Sequence, residues 1–148
     1  PPRSTLFPYT TLFRSQFIKN VYDTIDNLDP KETSQLSLST HLRSSLVALE
    51  SAVTWMVETF PSHPGQAAAG ATLFLEMMGL ISGGWMLARG VIEADRQLKN
   101  NEGDKSFLNS KLKTAQYFAE AHLSRTASLL HPITGGGDCV MEFDASNF

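Results

Sequence analysis

Residues 74–98 read FLEMMGLISGGWMLARGVIEADRQL, and their periodicity decides the fold class. Phe74, Met77/Met78, Ile81, Trp85, Ala88, Val91/Ile92 and Leu98 recur at three- and four-residue steps, which places them on one face of a helix. Leu73, Leu75, Leu80 and Met86 widen the stripe to most of the circumference in the middle turns. A helix apolar nearly all round is expected to be covered nearly all round. The pattern reaches back to Gln66, and at ~1.5 Å per residue it would span about 50 Å. That is long for a small bundle, so a kink or a frayed end is expected. Gly79, Gly83, Gly84 and Gly90 each cost about 1 kcal/mol relative to alanine inside a helix. Close approach of another backbone, or of a bulky side chain such as Trp55, would compensate them.

Three further helical patterns flank this one. Gln16–Leu28 carries Phe17/Ile18, Val21, Ile25 and Leu28 at helical spacing and ends at Asp29-Pro30. A second pattern, from Ser34 or Ser39 to Thr59, alternates steps of four and three through Leu38, Leu42, Leu46, Leu49, Val53, Met56 and Phe60. Pro61 to Gly65 stops it, because proline donates no amide and clashes with the preceding turn. On the other side, Asn100 to Asp104 is a loop, and Asp104 or Ser106 can cap the last helix by accepting its orphan amides. That helix repeats Leu108, Leu112, Ala115, Phe118/Ala119, His122, Thr126 and Leu129/Leu130 up to Pro132. Ile133 to Asp138, with three glycines, reads as a stop followed by a tail to Phe148. No strand pattern of any length is present. The expectation is an all-α chain: an up-down antiparallel four-helix bundle over residues 16–148, preceded by an extended, non-native segment over residues 1–15.

Composition narrows the function classes. The chain has 148 residues, 42% hydrophobic and 18% charged, the balance of a globular domain. A net charge of −3 without a basic cluster argues against a nucleic-acid face. Cys139 is the single cysteine, so no intramolecular disulfide forms, and a reducing cytoplasmic setting is expected. The longest charge-free apolar run, Met77–Ala88, is shorter than the roughly 18–20 residues of a membrane span, so no span is expected. Pro1, Pro2 and Pro8 and the lack of a continuous apolar run also disfavour an export or transit signal.

Candidate chemistry is sparse. His41, His63, His122 and His131 lack a second ligand at metal spacing, and no Glu-x-x-His pair of the di-iron bundle type occurs. His122 lies on the apolar stripe and reads as a hydrogen-bonded interior or interface histidine. Glu76, beside the glycine-rich turns, is the one acid worth weighing as a base, since desolvation would raise its pKa. Its alternative is to pair with Arg89, Arg43 or a lysine. Gly135-Gly136-Gly137 follows a helix and precedes no Lys-Ser/Thr, so it is a helix stop and flexible link rather than a phosphate loop. Gly79-x-x-x-Gly83 reads as a packing notch, and Cys139, beside an acid, is not a nucleophile. No catalytic, cofactor-binding or metal-binding residue is therefore assigned.

Three segments, Gly70–Arg89, Lys111–Glu120 and Gly137–Phe148, together resemble the C-terminal extension of the long bacterial acyl-CoA dehydrogenases, the branch that includes 3-methylmercaptopropionyl-CoA dehydrogenase. The likeness covers about Gln16–Phe148. It implies an FAD enzyme of fatty acid metabolism that oxidises an acyl-CoA at the α,β carbons, with a glutamate as base. Those parts belong to a core preceding the matched region, so the chain by itself is expected to be catalytically silent and to hold no cofactor. The implied partners are that core or a neighbouring subunit of a homo-oligomer, met by apolar surface around Trp55, Trp85 and Phe118. The competing reading is a free-standing helical interaction or dimerisation module without activity. Thr5–Ser15, TLFPYTTLFRS, is similar residue for residue to a translated sequencing-library adapter. That resemblance implies an artefactual, disordered leader over residues 1–15, standing where a dehydrogenase core is expected.

Overall fold

The computed structural model describes the backbone of residues 7–143 and the side chains from Ser15 onward. Among the described residues the chain is all-α, with no strand. Four long helices, α1 (Phe7–Asp26), α2 (Thr33–Thr59), α4 (Ala71–Lys99) and α5 (Lys105–Ala121), carry the core. Shorter elements join them: α3 (Pro64–Ala69), a 3₁₀ segment (Leu123–Leu129), α6 (Leu130–Gly135) and α7 (Gly137–Met141). Helices α2 and α4 pack on each other, and both α1 and α5 contact each of them.

The expected seam is the core from Leu38 to Leu49; beyond it Val53 and Met56 are only partly buried, and Phe60, also expected in the seam, is exposed. Leu38, Leu42, Leu46 and Leu49 of α2 meet Met77, Ile81, Ala88 and Val91 of α4, all fully buried. From α1 come Val21 and Ile25, and from α5 Ala115 and Ala119. Asp104 caps α5 by accepting from the amides of Ser106 and Phe107.

The extended segment expected before residue 16 is corrected in part: α1 is helical from Phe7. Pro8 lies in its first turn, where no intrahelical amide is required. The expectation for Pro1–Leu6 lies outside the described residues. The kink expected in the third pattern falls at Gly70, between α3 and α4. A Cβ there would stand 2.6 Å from the carbonyl oxygen of Ile133, so glycine is what lets the α6 backbone come in.

The fourth helix does not run to Pro132. It ends at Ala121 and continues as 3₁₀, with serine and threonine hydroxyls bonded to backbone carbonyls along the way. Ser124 donates to the Glu120 carbonyl, Thr126 to that of Leu123 and Ser128 to that of Arg125. Ser45 of α2 shares a buried hydrogen bond with the Thr126 hydroxyl, which pins the 3₁₀ turn to the core. Pro132 then sits in the first turn of α6, where it is tolerated. The glycine run is not a flexible link either: Gly136 joins α6 to α7 with φ −75. Gly137 is buried against Gln66, whose side-chain amide donates to Asp138 at 2.6 Å, so the tail packs on α3.

Candidate functional site

The titratable residues weighed as chemistry do not converge. His41 is partly buried in α2, His63 precedes α3 within 2.9 Å of the Ser62 hydroxyl, and His131 is exposed in α6. His122 terminates α5, with its ring against those of Phe118 and Tyr117, at centroid distances of 5.1 and 6.1 Å. Cys139 is exposed in α7. Among the described residues no group of three or more His, Cys, Asp or Glu side chains is placed to hold a metal.

Glu76 is exposed rather than desolvated, and its partner is Arg125 of the 3₁₀ segment, 3.9 Å away, not Arg89 or Arg43. The sequence missed this pairing because it depends on the break at His122, which turns Arg125 toward α4. Arg89 instead lies over the Trp85 ring at 5.6 Å, a cation–π arrangement.

The strongest electrostatic features are surface networks at the C-terminal end of α4. Arg96 donates to Glu93 at 2.7 Å and forms an ion pair with Glu102 at 3.0 Å. Hydrogen bonds from Arg96, and then from Gln97, hold the Glu93 carboxyl down at about 2. Lys99 is raised, chiefly by its hydrogen bond to Asp95. Burial raises the Tyr22 phenol, with Glu50 adding to the effect. Basic residues in the last turn of a helix meet its negative end favourably, so Arg96 and Lys99 read as helix-terminal stabilisers.

Beside polar hollows, such as the one lined by Lys19, Tyr22, Glu50 and Thr54, the surface offers apolar grooves. Trp55, Trp85 and Phe118 do not form the exposed patch expected of them; all three are partly buried against the core. The Trp85 ring meets Phe17 edge-on at 5.6 Å, and Phe118 fills the space over Gly83. Gly84 is filled by Leu123 and Leu42, not by Trp55. Exposed apolar residues lie elsewhere. One groove is formed by Met56, Val57, Phe60, Ala67, Ala68 and Ala71. A second, between α4 and α5, is lined by Met86, Gly90, Phe107 and Lys111 among others. A flavin dinucleotide needs polar groups converging on its phosphates. The first groove is lined by apolar side chains alone, and in the second the one cation, Lys111, lies over the Phe107 ring. Neither fits FAD, and no step of a redox reaction is derived from them.

Comparison with known proteins places this architecture. The sequence profile of the family described as acetyl-CoA dehydrogenase C-terminal like matches residues 17–144, so the chain belongs to that family. Over 104 residues it is 28% identical to 3-methylmercaptopropionyl-CoA dehydrogenase of Ruegeria pomeroyi. That alignment takes in 70% of this chain and 18% of the relative, so the match spans less than a fifth of the relative's length.

Proposed function

We propose that this chain is the accessory domain of an FAD-dependent acyl-CoA dehydrogenase of bacterial fatty acid metabolism. The enzyme forms an α,β double bond in an acyl-CoA thioester. One observation carries the reading: the family match, from residue 17 to residue 144, is to a domain defined by its place at the C-terminal side of such enzymes. The named activity of the Ruegeria relative supports the same chemistry. In this reading flavin, substrate and catalytic base belong to a separate core, and the chain alone turns nothing over. Its partners are that core or a neighbouring subunit, and the setting is cytoplasmic. The four long helices are taken as an up-down antiparallel bundle, which the mutual packing of α2 and α4 and the short α1–α2 and α4–α5 connections support.

The test is genomic and then spectroscopic. Reading the locus upstream of the Gln16 codon is expected to reveal a continuous frame for a flavin-binding core. The protein expressed from that longer frame is expected to be yellow and to reduce an electron-accepting dye with acyl-CoA, while the present chain is colourless. A start codon next to Gln16, or flavin absorbance from the present chain, overturns the reading.

A further inference from the structure

The outer face of α4 is unpartnered in a way its composition does not predict. By length and composition α4 is apolar enough to cross a membrane, yet only 22% of its most apolar window is buried. Leu75 is 72% exposed and Met86 56% exposed. Gly79 and Gly90 have no atom within 4 Å of the place a Cβ would occupy, so nothing in this chain requires glycine there. At ~100° per residue, Leu75, Gly79, Ser82, Met86 and Gly90 fall within an arc of about 80°. The face therefore alternates a projecting side chain with a notch: Leu75, Gly79, Met86, Gly90. None of these five residues carries a charge, and Glu93, in line with Leu75 at the end of the face, is held in its ion pair with Arg96.

That order is self-complementary. A two-fold axis between Ser82 and Gly83 sets Leu75 opposite Gly90 of a second copy and Met86 opposite Gly79 of the second copy. Each projection then meets a notch, the isologous pattern that two-fold symmetry demands. We infer that the outer face of α4 is a homodimer interface, with a second copy of this chain packed antiparallel along it. The available area agrees. From Thr72 to Glu93 the face is about 33 Å long and about 10–12 Å wide. With Phe107 and Thr114 of α5 flanking it, roughly 500 Å² per copy is covered. The total of about 1,000 Å² is the lower limit for a specific interface, which points to a reversible dimer. The inference sharpens the neighbouring-subunit part of the proposed function but does not rest on the enzymatic part.

The experiment uses the 148-residue chain in sedimentation over protein concentrations from about 1 μM to about 1 mM, a range that brackets a weak dimer. A concentration-dependent dimer is expected. Gly79→Ala with Gly90→Ala is expected to raise the melting temperature, because alanine favours the helix and meets no clash, while weakening association at least ~tenfold. Opposite movement of the two readouts excludes misfolding as the cause. In a Cys139→Ser background, Ser82→Cys is expected to give a disulfide-linked dimer on mild oxidation, since position 82 lies beside the axis. Leu36→Cys, exposed on α2, is expected not to. A monomer throughout the range overturns the inference, as does a dimer indifferent to the α4 variants. So does a monomer whose thiol at position 82 is shielded from alkylation only by the longer dehydrogenase or by phosphatidylcholine vesicles, which would assign the face to the core or to lipid.

Discussion

The indole N–H of Trp85 donates to the hydroxyl of Thr24 at 2.8 Å, and Thr24 in turn donates to the Asn20 carbonyl at 2.9 Å. This relay ties the middle of α4 to α1, with Phe17 edge-on to the same indole. Thr24→Val removes the acceptor and leaves a half-buried N–H without its partner. A loss of about 1 kcal/mol is expected, read as a lower denaturation midpoint and a shift in tryptophan emission. Thr24→Ser is expected to restore most of it.

Gly70 and Gly79 belong to one apolar segment yet answer substitution with opposite signs. A Cβ at Gly70 meets a backbone carbonyl at 2.6 Å, and backbone cannot swing aside. Gly70→Ala is therefore expected to destabilise by about 1–3 kcal/mol despite alanine's helix preference. Gly79→Ala is expected to stabilise the monomer by up to about 1 kcal/mol. Thermal melts of the two variants side by side check both signs.

Acid stability carries a contribution from Glu93. Its carboxyl titrates near 4.5 when unperturbed and near 2 in the fold. Between those values the unfolded chain binds more protons, so stability rises with pH. The contribution is complete above about 4.5 and is lost as pH falls toward about 2. Glu93→Gln is expected to flatten the denaturation profile across this window. The group is solvent-exposed, so added salt is expected to shrink the difference.

The described core contacts of α1 come from Phe17, Ile18, Val21, Tyr22, Ile25 and Leu28. Deleting Pro1–Ser15 is expected to leave the melting temperature within a few degrees of the parent. A fall of more than about 10 °C, equivalent to roughly 3 kcal/mol for a chain of this size, would show that the leader is part of the fold.

Periodicity made the four long helices legible, because burial on one face of a helix repeats at 3.6 residues and Leu38 to Leu49 obey that rule. It did not reveal the break after Ala121. Thr126 and Leu129/Leu130 continue the helical spacing straight through the 3₁₀ segment, so periodicity runs on where the α-helix does not. Nor could spacing tell a glycine filled from outside its helix, as Gly84 is by Leu123 and Leu42, from one left open, as Gly79 is. The two look alike in sequence and differ only in what stands opposite. Glu76 shows the same limit: its environment is set by Arg125, 49 positions away, and no local pattern encodes that distance.

The return of α7 onto α3 joins parts of the chain 72 positions apart through Gln66 and Asp138, with Met141 lying against Gly65. Helix α3 is a six-residue segment between a proline turn and Gly70, too short to be stable on its own. Its persistence depends on a contact made from the far end of the chain. In hydrogen exchange the two segments should open together as one unit, apart from the α2–α4 core. A nascent chain would then hold the corner before α4 loose until α7 has been made, so that this corner locks only after 72 later residues, up to Asp138, have been added.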